Sequence, residues 1–384
     1  MSCRLLVISE IIAPYRIPVF NALARQNGID LHVVFLAETD PTLRHWPVYK
    51  NEIGFSYEVL PNFRRKVGGQ NLLLNRKLQN ALSCFSPGCI LVGGYNYLAS
   101  WQALSWARQR KTPFLLWVES TSRDKRGGHR MVEFLKVAFL RRCSGFVVPG
   151  GSSSDYLSRY GVPQGGIFTA PNAVDNELLG QFAAMARHDE KAHRRRFRLP
   201  SKFFLFSGRL VREKGVLDLL EAYSRLQPTL RKDIGLVFAG DGPLRAQLYS
   251  RALTIDPGEI RFTGFLDREC LAYHYALAEA LVFPTWTDAW GFVVNEAMAC
   301  GLPVIASDAA GCAVDLVEDS WNGRLVRSRD IDQLAAAMAE FTSDSQSVSA
   351  MGQRSKQRIR DFSPEKCALG IARAAFSCSG GSRG

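Results

Sequence analysis

The sequence predicts an α/β protein made of two doubly wound domains, each a parallel sheet with helices on both faces. Three observations carry this. Apolar, strand-like runs alternate with helical stretches from the start, as in residues 4–9, a helix opening at Pro18 and residues 30–36. The alternation restarts at Phe203, after a polar and very basic stretch. A length of 384 residues is enough for two buried cores.

In chain order, residues 4–9 read as a buried strand and Glu10-Ile-Ile-Ala-Pro-Tyr-Arg16 as the loop after it. Pro18 suits a first helical turn, and Asn27-Gly28 ends that helix. The ligand edge of such a sheet is formed by the loops after the strands' C-terminal ends, which places Pro14, Tyr15 and Arg16 there. No GxGxxG occurs in that loop and no GxxxxGK[ST] occurs anywhere, which counts against a dinucleotide oxidoreductase and a P-loop NTPase. Asn62-Phe-Arg-Arg-Lys-Val-Gly-Gly69 mixes basic, aromatic and flexible residues; it reads as a mobile loop, either plainly solvated or touching an acceptor or membrane surface. Strands at 89–92 and 114–118 end in Gly93-Gly-Tyr-Asn96 and Glu119-Ser-Thr121, with a helix over 97–110 between them. Residues 131–142 form an amphipathic helix with a basic tail, whose apolar stripe reads as domain core ahead of a membrane anchor. A strand at 145–149 leads into a helix-start signal at 150–155, and Phe168-Thr-Ala-Pro-Asn-Ala-Val-Asp175 closes the first domain.

Residues 176–200 are polar and basic, so the domain boundary, with a hinge near 180, belongs there. The second domain then shows strands at 203–206, 235–239, 260–264, 280–283, 304–306 and 322–326. Its first loop is Ser207-Gly208-Arg209-Leu-Val-Arg-Glu-Lys214-Gly215, and Gly240-Asp-Gly-Pro243 turns into a helix. The domains are set at 1–180 and 181–362, with a segment 363–384 after them that carries a final helix.

Composition excludes several classes. Hydrophobic content of 47% with 22% charge is that of a globular chain, and the longest apolar runs fall far short of a membrane span. The opening leads straight into a strand pattern, so no signal peptide is expected. Nine cysteines without a CxxC pair suggest reduced thiols in a cytoplasmic protein, and no histidine spacing suggests a metal site. Residues 1–200 hold 27 Lys and Arg against 14 Asp and Glu, a balance of +13, whereas residues 201–384 hold 21 against 22. The basic half suits anionic phospholipid, a phosphate-bearing acceptor, or simply a solvated surface. No nucleic-acid-binding motif accompanies it.

The chemistry concentrates in Asp288-Ala-Trp-Gly-Phe-Val-Val-Asn-Glu296 and the residues after it. Residues 292–300 read as a helix stopped by Gly301 and Pro303, so Asp288 lies just before its N-terminus and Glu296 a little over one turn inside. The N–H groups of Trp290, Gly291, Phe292 and Val293, with the helix dipole, suit an anionic phosphate. Arg209 as a bidentate fork and Lys214 as a point charge are able to grip a diphosphate, while a carboxylate accepts from two vicinal hydroxyls. Together these describe a nucleotide-sugar site. Asp330-Ile-Asp332 reads as a helix N-cap, not a metal-binding DxD.

The second domain resembles the donor half of the family 4 retaining glycosyltransferases (the bacterial group 1 type) with the GT-B fold. The resemblance rests on Ser207-Gly-Arg-Leu-Val-Arg-Glu-Lys-Gly215, Ala239-Gly-Asp-Gly-Pro243, Phe262-Thr-Gly264 and residues 288–308, in the family's order and approximate spacing. Pro171-Asn-Ala-Val-Asp175 extends it backwards, while the first domain is similar in layout only. The resemblance implies two Rossmann-like domains facing across a cleft, the first binding acceptor and the second a nucleotide-diphosphate sugar, with the last helix crossing back to the first. It implies that Arg209 and Lys214 bind the donor diphosphate, Glu296 the ribose hydroxyls and Asp288 the transferred sugar. Gly208 and the main chain at Trp290, Gly291, Phe292 and Val293 would cradle phosphate and sugar, and Gly264 with Phe265 the base. The family's acid pair is usually two glutamates, so Asp288 is a departure. Glu119 stands where many members place a histidine, on the acceptor or sugar side with Pro14, Tyr15 and Arg16.

The resulting expectation is sugar transfer with retention, without metal or cofactor, to a glycan or polyprenyl-linked acceptor. The setting would be the cytoplasm, in part on the inner face of the plasma membrane. The alternatives are another GT-B reaction, such as nucleotide-sugar hydrolysis or phosphorylase chemistry, and a non-catalytic nucleotide-sugar binder.

Overall fold

A computed structural model of the chain describes residues 2–40, 46–67, 70–122, 130–256 and 259–380, the side chains of 65–67, 70–72 and 130 apart. The chain divides into two compact units, Met1–Val174 with Ser363–Gly384, and Asp175–Phe362.

The first unit carries β1 (Cys3–Ser9), β2 (Ile29–Phe35), β3 (Ser56–Val59), β4 (Asn62–Val67), β5 (Gln70–Asn75), β6 (Cys89–Val92), β7 (Phe114–Trp117), β8 (Gly145–Val148) and β9 (Ile167–Thr169). Seven of them form a parallel sheet in the order β3-β2-β1-β6-β7-β8-β9. The inner strands β6, β7 and β8 are continuous apolar runs because helices cover both faces, leaving every one of their residues buried. The helix Pro364–Gly380 belongs to this unit, although it follows the second in sequence. Its small residues allow close approach: a Cβ at Gly370 would stand 2.2 Å from the Thr169 carbonyl oxygen. Ile371, Ala374 and Ala375 join Phe20 and Leu23 in one core.

The second unit carries β10 (Phe203–Ser207), β11 (Gly235–Ala239), β12 (Ile260–Gly264), β13 (Ala280–Phe283), β14 (Val304–Ser307) and β15 (Gly323–Val326), ordered β12-β11-β10-β13-β14-β15. In the unit's own count this is 3-2-1-4-5-6, the Rossmann order. The direction of winding reverses between β10 and β13, so loops leaving these two neighbours diverge to opposite faces and open a crevice at their C-terminal ends.

Three expectations change. The division falls at Val174/Asp175, not after 180, because residues 176–197 form two helices of the second unit, Asn176–His188 and Glu190–Phe197. Asp175 caps the first by accepting from the Leu178 N–H at 2.9 Å, and Leu179, Ala183 and Ala186 bury one face. The stretch 62–69 is not a loop but the strand β4, paired antiparallel with β5 so that Val67 stands opposite Gln70; Gly68 and Gly69 lie outside the described residues. Two glycines between six-residue runs are a hairpin signal that the basic composition obscured. Finally, the apolar residues of the helix Arg130–Leu140 are divided. Phe139 and Leu140 are buried, but Met131, Val132, Phe134 and Leu135 are exposed.

Candidate active site

The second unit's crevice is built from the loops after β10 and β13. The first runs through Gly208 and Arg209 to a 3-10 turn, Arg212–Lys214, and the second from Pro284 to the helix Phe292–Ala299. Gly215 lets them meet. Its φ of +68° is left-handed, and a Cβ there would stand 2.1 Å from the Pro284 carbonyl oxygen, so only glycine allows this backbone contact. The loops are then stitched together: the Glu213 carbonyl accepts from the Trp286 N–H at 2.8 Å and from the Thr285 hydroxyl at 3.0 Å.

That contact brings Lys214 onto Asp288. Their side chains form an ion pair, both mostly buried, and the second Asp288 oxygen accepts the Trp290 N–H at 3.2 Å. The carboxylate that the resemblance gives to the transferred sugar is thus held here by the lysine given to the diphosphate. The Trp290 N–H, expected free for phosphate, is taken by Asp288, because the short aspartate side chain folds back onto the chain two residues on. The Trp290 indole is buried and donates to Asn295 at 2.8 Å, so it is a structural side chain. Gly291, at φ +102°, is the N-cap of the helix Phe292–Ala299, whose opening N–H groups point out of its N-terminus beside Asp288. Arg209 is exposed and has no ion-pair partner among the described residues.

Glu296 sits one turn further along. The Tyr275 hydroxyl, from the buried face of the helix Arg268–Leu277, donates to its carboxylate at 2.9 Å. Burial pushes the Glu296 carboxyl up to about 7, against the opposing pull of the Tyr275 hydrogen bond and of Arg268. Gly264 ends β12 with a left-handed φ of +72°, its carbonyl accepts the Gly240 N–H at 2.8 Å, and Phe265 after it is 55% exposed. Asp330 accepts the Gln333 N–H at 2.9 Å as the N-cap of the helix Ile331–Ser343.

The first unit has its own polar cluster at the corresponding edge. Pro14, Tyr15 and Arg16 form a 3-10 turn after β1, and Arg16 forms an ion pair with Glu119 at 2.5 Å. Asn172 completes the group, donating to Glu119 at 2.8 Å and accepting from Arg16 at 3.2 Å. The Arg16 guanidinium lies 3.8 Å over the Trp117 ring, and Tyr15 packs edge-on against Trp46. So Arg16 and Glu119, both expected on the acceptor or sugar side, touch.

Sequence reasoning missed Tyr275, Asn172 and Thr285. Tyr275 lies in a helix that reads as core, and Asn172 in a motif noted only for its resemblance. Trp286 was also missed; its indole donates to Asp218 at 2.6 Å, and the guanidiniums of Arg212 and Arg329 lie over its ring at 5.4 and 4.0 Å.

Two doubly wound units with these crevices define a GT-B-type α/β protein. A solved structure from Anabaena, Alr3699/HepE in complex with UDP-glucose, matches over 98% of this chain and 100% of its own at a TM-score of 0.74, with 17% identity. The chain belongs to the group 1, family 4 glycosyltransferases: the family described as "Glycosyl transferases group 1" matches residues 188–358 and "Glycosyltransferase Family 4" residues 19–178. Among curated relatives, the GDP-mannose-dependent alpha-(1-6)-phosphatidylinositol monomannoside mannosyltransferase of Mycobacterium tuberculosis is 33% identical over 223 residues, 54% of each protein. The O-antigen chain mannosyltransferase B of Escherichia coli is 28% identical over 169 residues, 43% of each. The chain therefore spans only about half the length of these relatives.

Proposed function

We propose that the protein is a retaining, metal-independent glycosyltransferase that moves a sugar from a nucleotide-diphosphate sugar to a hydroxyl of a glycan or polyprenyl-linked acceptor. The observation that carries the reading is the joined pair of loops at the second sheet's switch point. They set Lys214 and Asp288 in contact beside a helix N-terminus, with Arg209, which has no ion-pair partner among the described residues, on the same loop. An anion is the missing partner of such a site.

In this reading the donor diphosphate draws Lys214 from Asp288 and takes Arg209 as its second cation. Both, with the helix N–H groups, stabilise the negative charge that develops as the sugar–phosphate bond breaks. Asp288, released, accepts hydroxyls of the transferred sugar; Glu296, held by Tyr275, accepts from the ribose. The acceptor oxygen attacks from the face the diphosphate leaves, and the departing phosphate takes its proton, so the anomeric configuration is retained. UDP-glucose is bound by the Anabaena protein and GDP-mannose is named for the mycobacterial one; either fits a site that grips the diphosphate. The work place is the cytoplasm, partly at the inner face of the plasma membrane. No described helix is long and apolar enough to cross a membrane.

A thermal-shift screen of nucleotide sugars tests this. One donor should stabilise the native protein, and the shift should vanish in Glu296→Ala and Arg209→Ala. That donor with undecaprenyl-linked acceptors then yields product whose anomeric configuration is read by NMR. No shift with any donor contradicts the reading.

A further inference from the structure

The helix Arg130–Leu140 of the first unit is amphipathic in an inverted sense. Its internal charges, Glu133 and Lys136, turn toward the neighbouring helix Gly151–Arg159: Lys136 bonds Glu133 at 2.8 Å and the Tyr160 hydroxyl at 3.0 Å, with the Tyr156 and Tyr160 rings beside it. The outward stripe is apolar instead. Met131, Phe134, Leu135 and Ala138 follow one another at helical spacing, with Met131 73% and Phe134 71% exposed. A contiguous stripe of this kind marks a surface that meets something less polar than water.

Where the stripe ends, charge begins. Arg141 and Arg142 follow the helix, and with Arg108 they line a concavity together with Phe134 and Val137. Arg108 and Arg142 also line a second, adjoining one with Lys111, Ser144 and Gly166 at the N-terminal edge of the sheet. None of these four cations has an ion-pair partner among the described residues, and Glu133, the only acid among the described residues lining either concavity, already faces Lys136.

We infer that this face docks on an anionic phospholipid bilayer, with Met131 and Phe134 entering the acyl boundary and Arg108, Lys111, Arg141 and Arg142 meeting lipid phosphates. The apolar stripe supplies insertion and the cations choose the lipid. The surface deepens the membrane setting proposed above, but it stands on the helix and its cations, not on the donor site.

The full chain is tested by flotation with vesicles of phosphatidylcholine alone and of phosphatidylcholine mixed with phosphatidylglycerol. Binding should require the anionic lipid and weaken with salt. Arg141→Gln with Arg142→Gln should lower partitioning roughly 25-fold, since each cation near such a surface contributes a factor of about five. Met131→Ser with Phe134→Ser should lower it at least about tenfold. All four positions are exposed, so unfolding midpoints should hold. Native protein that fails to bind anionic vesicles, or variants that bind as the native does, overturns the inference. So does a native dimer that Phe134→Ser dissolves, which would make the stripe a self-association surface. Donor-induced thermal shifts on the same samples separate the two proposals: a shift without vesicle binding removes only the docking surface, and vesicle binding without a shift removes only the transferase reading.

Discussion

The two sheets of this protein share a winding order yet prepare their crevices differently. In the second unit, one cation is held by a carboxylate and another, Arg209, has none among the described residues. In the first, Arg16, Glu119 and Asn172 satisfy one another over the Trp117 ring. A crevice with surplus positive charge and a helix N-terminus asks for an anion; a polar cluster whose charges pair with one another over an aromatic ring carries no such surplus. The strand order supplies a place for a ligand, and the local charge balance decides which ligand.

The largest effect should come from breaking the surplus. Arg209→Ala should lower kcat/KM roughly 10²–10³-fold, the usual loss when one stabiliser of developing charge is removed. The unfolding midpoint should stay put, since the side chain is exposed and unpaired. Next is Glu296. Its folded carboxyl keeps its proton to about pH 7, whereas the ordinary value is 4.5. The folded state therefore binds the extra proton between these values. Its contribution to stability is fully present below about pH 4.5 and lost as pH rises through about 7, amounting to about 3 kcal/mol by pH 8. Denaturant titrations from pH 4 to 8 should show this slope in the native protein and a flatter one in Glu296→Gln. Donor affinity should rise as pH passes through about 7, where the folded carboxyl ionises, and only in the native protein.

The first unit should respond in the opposite way. Arg16→Met leaves a half-buried Glu119 without its cation, at a cost of about 2 kcal/mol in unfolding free energy. Donor binding by the second unit should be unchanged; a lost donor shift would erase the contrast between the crevices. Smallest is Asp330→Ala, which removes an N-cap worth about 1 kcal/mol. It should leave transfer rates, with or without EDTA, as they were.

Much of this was legible in the chain. Apolar runs such as 235–239 and 280–283 give the buried strands because strand burial is written locally, and the loop cations and acids lie at the ends of those strands. Partners distant in sequence were not legible. Nothing around Tyr275 marks it as the hydroxyl facing Glu296, and nothing around Lys214 says that its ammonium rests on Asp288, 74 residues on. The polar stretch 176–197 hid two helices because their buried residues are few and small, chiefly alanines. The helix Arg130–Leu140 misled for another reason: periodicity reports that a face is apolar, not which side of the helix the fold covers.

Calorimetric titration of UDP and GDP into the native protein, Arg209→Ala and Lys214→Ala, all in EDTA, tests the central claim most directly. One nucleoside diphosphate should bind the native protein without metal, and each substitution should weaken it at least about tenfold, as expected for losing a charge-assisted contact. Equal affinity in all three proteins, or no binding by the native one, would contradict the account.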